Sequence, residues 1–286
     1  MLLSIIIPSR NRQALLERLL LTIDQQVTQT HCLDDVEIIV VDDASSPALQ
    51  LPSNTLKARC KMLTLSMPSG APKARQQGLE TASGEFIHFH DSDDSITDDW
   101  LEGIISHLRE PTCFDFLVIA RKVVTKTGAA YKKQHLLKNM ASQPHRIKQR
   151  LKYENCLGPL GGIVFSKKAT EKMQFTNLPS CQDWDMYLDA IDHNSIIIYD
   201  WDIAFIKNDL HEDQISKDTK KKFLGVFRLA RKHKIITSKN PMMRLFLVYK
   251  LQTSLENHHT LLSFFSKHKL KCWACYSVIN VQKRIS

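Results

Sequence analysis

The chain has 286 residues, 43% of them hydrophobic and 24% charged, with a formal net charge of +9. Such proportions suit a soluble globular protein with a large core, long enough for one large α/β domain with an appendage or for two small domains. No run reaches the roughly 18 to 20 apolar residues that a bilayer-spanning helix needs, which excludes that class.

The opening Met1-Leu2-Leu3-Ser4-Ile5-Ile6-Ile7-Pro8 is short and apolar. It lacks a basic lead and a small-residue cleavage site, so a buried strand is expected rather than a signal peptide. Residues 3–7 form a continuous apolar run rich in β-branched side chains, as in a strand covered on both faces. Over 12–26 the apolar residues Leu15, Leu16, Leu19, Leu20 and Ile23 recur at helical spacing. Residues 36–41 read as a second buried strand and 61–65 as a third. A helix is predicted over 72–82, with Pro72 in its first turn and Gly84 past its end. Residues 85–90 give a fourth strand, 98–108 a helix and 114–120 another strand. This alternation predicts a mostly parallel sheet with right-handed crossovers. Residues 121–134 alternate around Thr127-Gly128 and predict a hairpin. Further on, 158–162 is a glycine-rich loop, 163–165 a short strand, 184–191 a helix and 195–206 one or two strands. Three helices are expected in the tail, over about 217–234, 241–256 and 260–280.

The charge is unevenly spread. Residues 217–286 hold sixteen Lys and Arg against two acids, whereas the preceding 216 residues hold 23 bases and 28 acids. A split of this kind suggests an anionic partner for the tail. Lipid fits a basic amphipathic surface, and no nucleic-acid signature accompanies the basic residues. Seven cysteines without a pairing pattern point to reduced thiols in a cytosol. Cys272 and Cys275 read as two side chains on one helical turn.

Two acidic groups fall at predicted strand ends, where open α/β sheets hold their ligands. Asp42-Asp43 follows the second strand and Asp91-Ser92-Asp93-Asp94 follows the fourth. Carboxylates gathered in this way repel one another. A divalent cation with hard oxygen ligands, Mn²⁺ or Mg²⁺, would relieve the repulsion while keeping phosphate oxygens in its shell. A simpler role is also open: Asp93 or Asp94 could cap a helix starting near Thr97, and Asp183 could cap one starting at Trp184. His88 and His90, beside the acidic cluster, read as packing residues.

The stretches Ser4–Arg12, Glu37–Ser45, Gly70–Leu79, Gly84–Asp94, Cys181–Leu188 and His211–Ser216, in that order and spacing, resemble an inverting family 2 glycosyltransferase. The resemblance covers residues 3–216 and implies a GT-A fold, an α/β architecture with a mostly parallel central sheet. It implies a nucleotide-binding half over about 1–120 and an acceptor half over about 121–216. A basic helical extension, 217–286, would follow.

The resemblance also implies roles. Pro8, Ser9 and Arg12 would lie at the nucleotide, Asp43 would accept a hydrogen bond from the base, and Arg75 would lie nearby. Asp91 and Asp93 would form the DXD pair, with Asp93 the first choice of metal ligand and Asp94 the second. Asp183 would be the general base, and His211 would join the metal shell. The donor would be a nucleotide-diphospho-sugar, usually of uridine, and the acceptor a glycan or lipid-linked glycan of a bacterial surface polysaccharide. The enzyme would be cytoplasmic or peripheral on the membrane. Gln182 stands where the family has Glu, and Gln76 where it has Asn, which weakens the acceptor-site assignment at Gln182. A nucleotidyltransferase and a non-catalytic nucleotide-sugar binder are the alternatives. The first would need a glycine-rich loop after the first strand, and 8–12 holds no glycine.

Overall fold

A computed structural model describes residues 1–52, 55–111, 113–125, 128–132, 143–208 and 218–235. The chain divides into two compact units, Met1–Asn177 with Asp183–His211 and Leu178–Gln182 with Glu212–Ser286.

In the first unit, the described residues form one nine-stranded sheet. In chain order the elements are β1 (Leu3–Ser9), α1 (Gln13–Gln29), β2 (Val36–Asp42), β3 (Arg59–Thr64), α2 (Ala71–Thr81), β4 (Phe86–Phe89), β5 (Ser95–Ile96), α3 (Trp100–Arg109), β6 (Phe116–Thr125) and β7 (Gly128–Lys132). There follow α4 (Pro144–Leu151), a 3₁₀ turn (Leu160–Gly162), β8 (Ile163–Ser166), α5 (Lys167–Thr170), α6 (Gln182–Ala190) and β9 (Ile197–Asn208). The strand order is β3-β2-β1-β4-β8-β6-β9-β5, with β7 hairpin-paired to β6.

Every residue of β1 and β2 is buried, because both faces of the sheet are covered. Leu3, Ile5 and Ile7 join a core with Leu16, Leu20 and Ile23 of α1 and Trp100 and Ile104 of α3. Ile6 points the other way, toward α2, where Gly78 lets the helix approach. A Cβ on Gly78 would stand 2.4 Å from Ile6 Cγ2 and 3.3 Å from Val41 Cγ2. Successive strand side chains alternate between the faces, so one apolar run serves two helical layers.

The predicted elements of the first half appear with small shifts at their ends. The sheet is more mixed than a simple strand–helix alternation gives. β1, β2, β3 and β4 are mutually parallel, but β8 enters antiparallel between β4 and β6. Residues 195–206 yield one long strand, β9, parallel to β6 with a bulge opposite Ile119 and Ala120. The two-residue strand β5 and the helix α4 carry too few apolar residues to show in the sequence pattern.

In the second unit, α7 (Thr219–Lys232) is capped by Asp218, whose carboxylate accepts from Lys221 N–H at 2.9 Å. The segment Leu178–Gln182 packs on it so closely that a Cβ on Gly225 would stand 2.6 Å from Ser180 O. The two further tail helices expected from sequence, Cys272-Cys275 and His211 all lie outside the described residues. No helix among the described residues is long and apolar enough to cross a membrane.

Candidate active site

Because β1, β2 and β4 are parallel, the segments that follow them leave from one edge of the sheet. Register sets Ser9 opposite Asp42 and Ile6 opposite Phe89. The turns after β1 and β2 are bound together: Asn11 N–H donates to Ser45 Oγ at 2.8 Å, and Ser46 N–H to Asn11 Oδ1 at 2.9 Å. Pro8 and Ser9 close β1, and Ser9 Oγ is buried without a hydrogen-bond partner.

The two acids after β2 do different work. Asp42 is fully buried and accepts from Ser45 N–H at 2.9 Å and Leu49 N–H at 3.1 Å, so it builds the turn. Asp43 accepts from Ser69 N–H at 2.6 Å and Gly70 N–H at 2.9 Å, one bond on each oxygen. Gly70 has φ +86°, a left-handed conformation that costs glycine little. Asp43 thereby anchors the start of α2, the helix that carries Arg75.

Beyond β4 lies the acidic cluster, in which each carboxylate faces its own cation. Arg75 Nη2, buried on α2, lies 2.6 Å from Asp91 Oδ1. Arg12 Nη1 lies 2.8 Å from Asp93 Oδ2. Lys207 Nζ, on β9, lies 3.0 Å from Asp94 Oδ2 and 3.9 Å from Asp91 Oδ2. Mutual repulsion is therefore relieved by side chains, and repulsion alone does not call for a divalent ion. This corrects the sequence argument. Asp91 and Asp93 still offer hard oxygen donors of the kind such a cation takes. Asp91 is 30% exposed, and the Arg12 partner of Asp93 is 40% exposed and can swing away. Asp94 is a weaker candidate ligand, since both its oxygens serve protein donors: Lys207 Nζ on one and Asn208 N–H, at 3.1 Å, on the other.

Charge in the cluster follows burial and partners. Burial opposes ionisation of Asp91, but Arg75 and Lys207 outweigh it and hold its carboxyl well below the usual range. Burial pushes the Asp94 carboxyl up to about 7; the Lys207 ammonium opposes that push, and the charges of Asp91 and Asp93 add to it. Neither Asp93 nor Asp94 caps a helix, because α3 begins only at Trp100, with Asp99 before it. His88 and His90 are fully buried. His88 Nδ1 lies 2.9 Å from Ile163 O and its Nε2 3.2 Å from His90 Nδ1, while both rings meet Trp100 edge-on. Burial lowers their pKa values to about 4 and about 3, so both are neutral packing residues near pH 7.

Asp183 lies in the first turn of α6, which begins at Gln182, two residues earlier than a cap at 183 would require. Its Oδ1 accepts from Trp184 N–H at 2.8 Å and its Oδ2 from Asn155 Nδ2 at 3.0 Å. The same Asn155 amide donates to Gly158 O at 2.9 Å, which fixes its orientation. Burial raises the Asp183 pKa; the Trp184 N–H and the Arg75 charge pull it down, while Asp91 pushes it up. Asp183 is thus within electrostatic reach of the Arg75–Asp91 pair, although 92 residues separate it from Asp91 in sequence. A carboxylate with a raised pKa, held in place by the Trp184 N–H and the Asn155 amide, is suited to accept a proton.

Sequence reasoning missed Asn155, Lys207, Asn208 and Arg121. Arg121, on β6, is in range of the charges of Asp183 and Asp94, and its Nε is buried without a partner. The available signal for Lys207 was a cation closing the apolar run Ile203-Ala204-Phe205-Ile206. Asn155 offered none, since its role depends on a contact across 28 residues.

Paired acids at a strand edge, with a separate carboxylate within their electrostatic reach, make up the candidate site of this α/β fold. Residues 4–173 match the model of glycosyl transferase family 2. The chain belongs to that family and is a glycosyltransferase, which displaces the nucleotidyltransferase and idle-binder alternatives. It is 28% identical over 277 residues to WcaA of Escherichia coli K12, the glycosyl transferase assigned to colanic acid biosynthesis, covering 93% of each chain. In structure it resembles Staphylococcus aureus TarS 1–349 in complex with UDP-GlcNAc, with a TM-score of 0.65 at 23% identity, over 96% of this chain and 78% of that one. It also resembles the Pyrobaculum calidifontis mannosyltransferase PcManGT in complex with GDP-Man and Mn²⁺, with a TM-score of 0.58 at 15% identity, over 99% and 79%. The fold is GT-A.

Proposed function

We propose that the enzyme transfers a sugar, with inversion, from a nucleotide-diphospho-sugar to a hydroxyl of a glycan or lipid-linked glycan in bacterial surface polysaccharide synthesis. A uridine donor is the reading we adopt, in line with the UDP-GlcNAc held by TarS. The observation that carries the proposal is the placement of Asp183: raised in pKa, held by Asn155, and close to the Arg75–Asp91 pair.

Pro8, Ser9, Arg12 and Asp43 receive the nucleoside, with the unpartnered Ser9 Oγ and the remaining lone pairs of Asp43 as the polar contacts. Asp93 would hold Mn²⁺ or Mg²⁺, with Asp91 beside it and His211 as the further ligand the family resemblance implies. When bound, the ion neutralises charge on the departing nucleoside diphosphate. Arg75 orients Asp91. Asp183 Oδ takes the proton of the acceptor hydroxyl as that oxygen forms its bond to the anomeric carbon. The bond from that carbon to the diphosphate oxygen breaks, and the diphosphate leaves with the electron pair. A positioned base of this kind contributes about 10²- to 10⁴-fold. We assign catalysis to 1–216 and take 217–286 as a basic extension of a cytoplasmic, peripheral enzyme.

The test is a pair of variants with donor binding and transfer measured separately. Asp183→Ala is expected to bind a UDP-sugar normally and to lose about 10²-fold or more of transfer. Asp93→Ala is expected to lose Mn²⁺-dependent donor binding. Normal transfer by Asp183→Ala removes the base assignment.

A further inference from the structure

Lys207 is a built-in part of the acidic cluster. β5 pairs antiparallel with β9, setting Ser95 opposite Ile206 and Ile96 opposite Phe205. That register brings the next two residues of β9 beside 91–94. Asn208 clamps the contact: its N–H donates to Asp94 Oδ1 at 3.1 Å, and its Nδ2 to Asp93 O at 2.8 Å and Ser95 Oγ at 3.1 Å. Lys207 Nζ then sits 3.0 Å from Asp94 Oδ2 and 3.9 Å from Asp91 Oδ2, with a quarter of its side chain exposed. An ammonium has three N–H donors. Asp94 takes one at hydrogen-bond distance and Asp91 lies beyond it, so the open side keeps donors for a ligand.

We propose that Lys207 is a phosphate-binding residue that holds the nucleoside diphosphate of the donor without a divalent ion. The proposal rests on the nucleotide-sugar reading above and adds to it a cation belonging to the chain. A lysine ammonium is a compact point charge suited to phosphate oxygens. Its position is fixed from strand pairing, unlike that of Arg12 at the exposed rim. Its burial, with only a quarter of the side chain exposed, strengthens its field at short range. Pairing with Asp94 also cancels charge that would otherwise repel an incoming diphosphate. Docking of the donor thus draws on Lys207 in addition to whatever an ion held at Asp93 would contribute.

The experiment measures binding of UDP, GDP and inorganic pyrophosphate to the full chain, by calorimetry, in EDTA and in Mn²⁺. The native protein is expected to bind UDP or GDP in EDTA. Lys207→Met is expected to weaken that binding, and pyrophosphate binding, by about tenfold or more, the scale of a lost charge-assisted hydrogen bond. Lys207→Arg should keep most of it. The double variant Lys207→Met/Asp94→Asn removes the acid left unpaired and should show the same loss in a folded protein. Equal affinity of native and Lys207→Met proteins in EDTA overturns the proposal. Nucleotide binding that appears only with Mn²⁺ also overturns it and leaves the nucleotide-sugar reading standing. Absence of UDP and GDP binding under both conditions sinks that reading as well.

Discussion

Glu37 shows how a single charged residue is made compatible with a buried strand. It lies on β2, fully buried, between apolar neighbours. Its carboxylate accepts from Ser4 Oγ, Ser83 N–H and Ser83 Oγ, each at 2.7 Å, and from Lys61 Nζ at 3.1 Å. Burial works against the charge, but the bonds from Ser4, Ser83 and Lys61 prevail and lower its pKa from 4.5 to about 2. A group depressed in the folded state stabilises the fold above its unfolded pKa and loses that contribution as pH falls. Glu37→Gln is therefore expected to destabilise the protein by about 1–3 kcal/mol near neutral pH. In urea unfolding, the difference from the native protein should shrink as pH drops from about 4.5 toward 2. A difference that stays constant across that window rules this account out. Asp42 and Asp43 make the same point differently: adjacent in sequence, one is spent on its own turn and the other anchors α2.

At the scale of elements, the close approach of α2 to β1 and β2 positions Arg75. Gly78 is the contact point, and the added carbon of Gly78→Ala would overlap Ile6. Overpacking of this sort costs typically about 1–3 kcal/mol. The midpoint of urea unfolding is expected to fall accordingly, and donor binding to weaken as Arg75 shifts from Asp91. Unchanged stability would mean that the helix is free to move outward. The pairing of β5 with β9 has the same kind of consequence, since two residues of β5 suffice to deliver Lys207 and Asn208 to the acids. Periodicity reveals long buried strands such as β1 and β2. It cannot reveal a two-residue strand, whose existence depends on a partner more than 100 residues away.

For the whole molecule, the charge division between the first 216 residues and the last 70 is the dominant feature. Sixteen basic residues against two acids favour an anionic surface by long-range attraction. Such attraction is screened by salt, the Debye length falling from about 30 Å at 0.01 M to about 3 Å at 1 M. The full chain is expected to co-sediment with anionic lipid vesicles at low ionic strength and to be released at high. Binding at neither salt concentration ends the membrane reading. Retention at high salt would point instead to buried apolar contact.

The sequence by itself determined the strand–helix order of the first half, the edge on which Asp43 and Asp91–Asp94 emerge, and the family. Each is written in short stretches whose periodicity or spacing is local. Tertiary structure decided which charges meet. Arg75 is paired with Asp91, and Lys207 reaches Asp94 across 113 residues; Asn155 holds Asp183. The order β8-β6-β9-β5 creates the Lys207 contact, and no stretch of sequence encodes that order locally. A carboxylate's charge state depends on its neighbours in space, so the electrostatics of the site became readable only once the sheet had brought distant segments together.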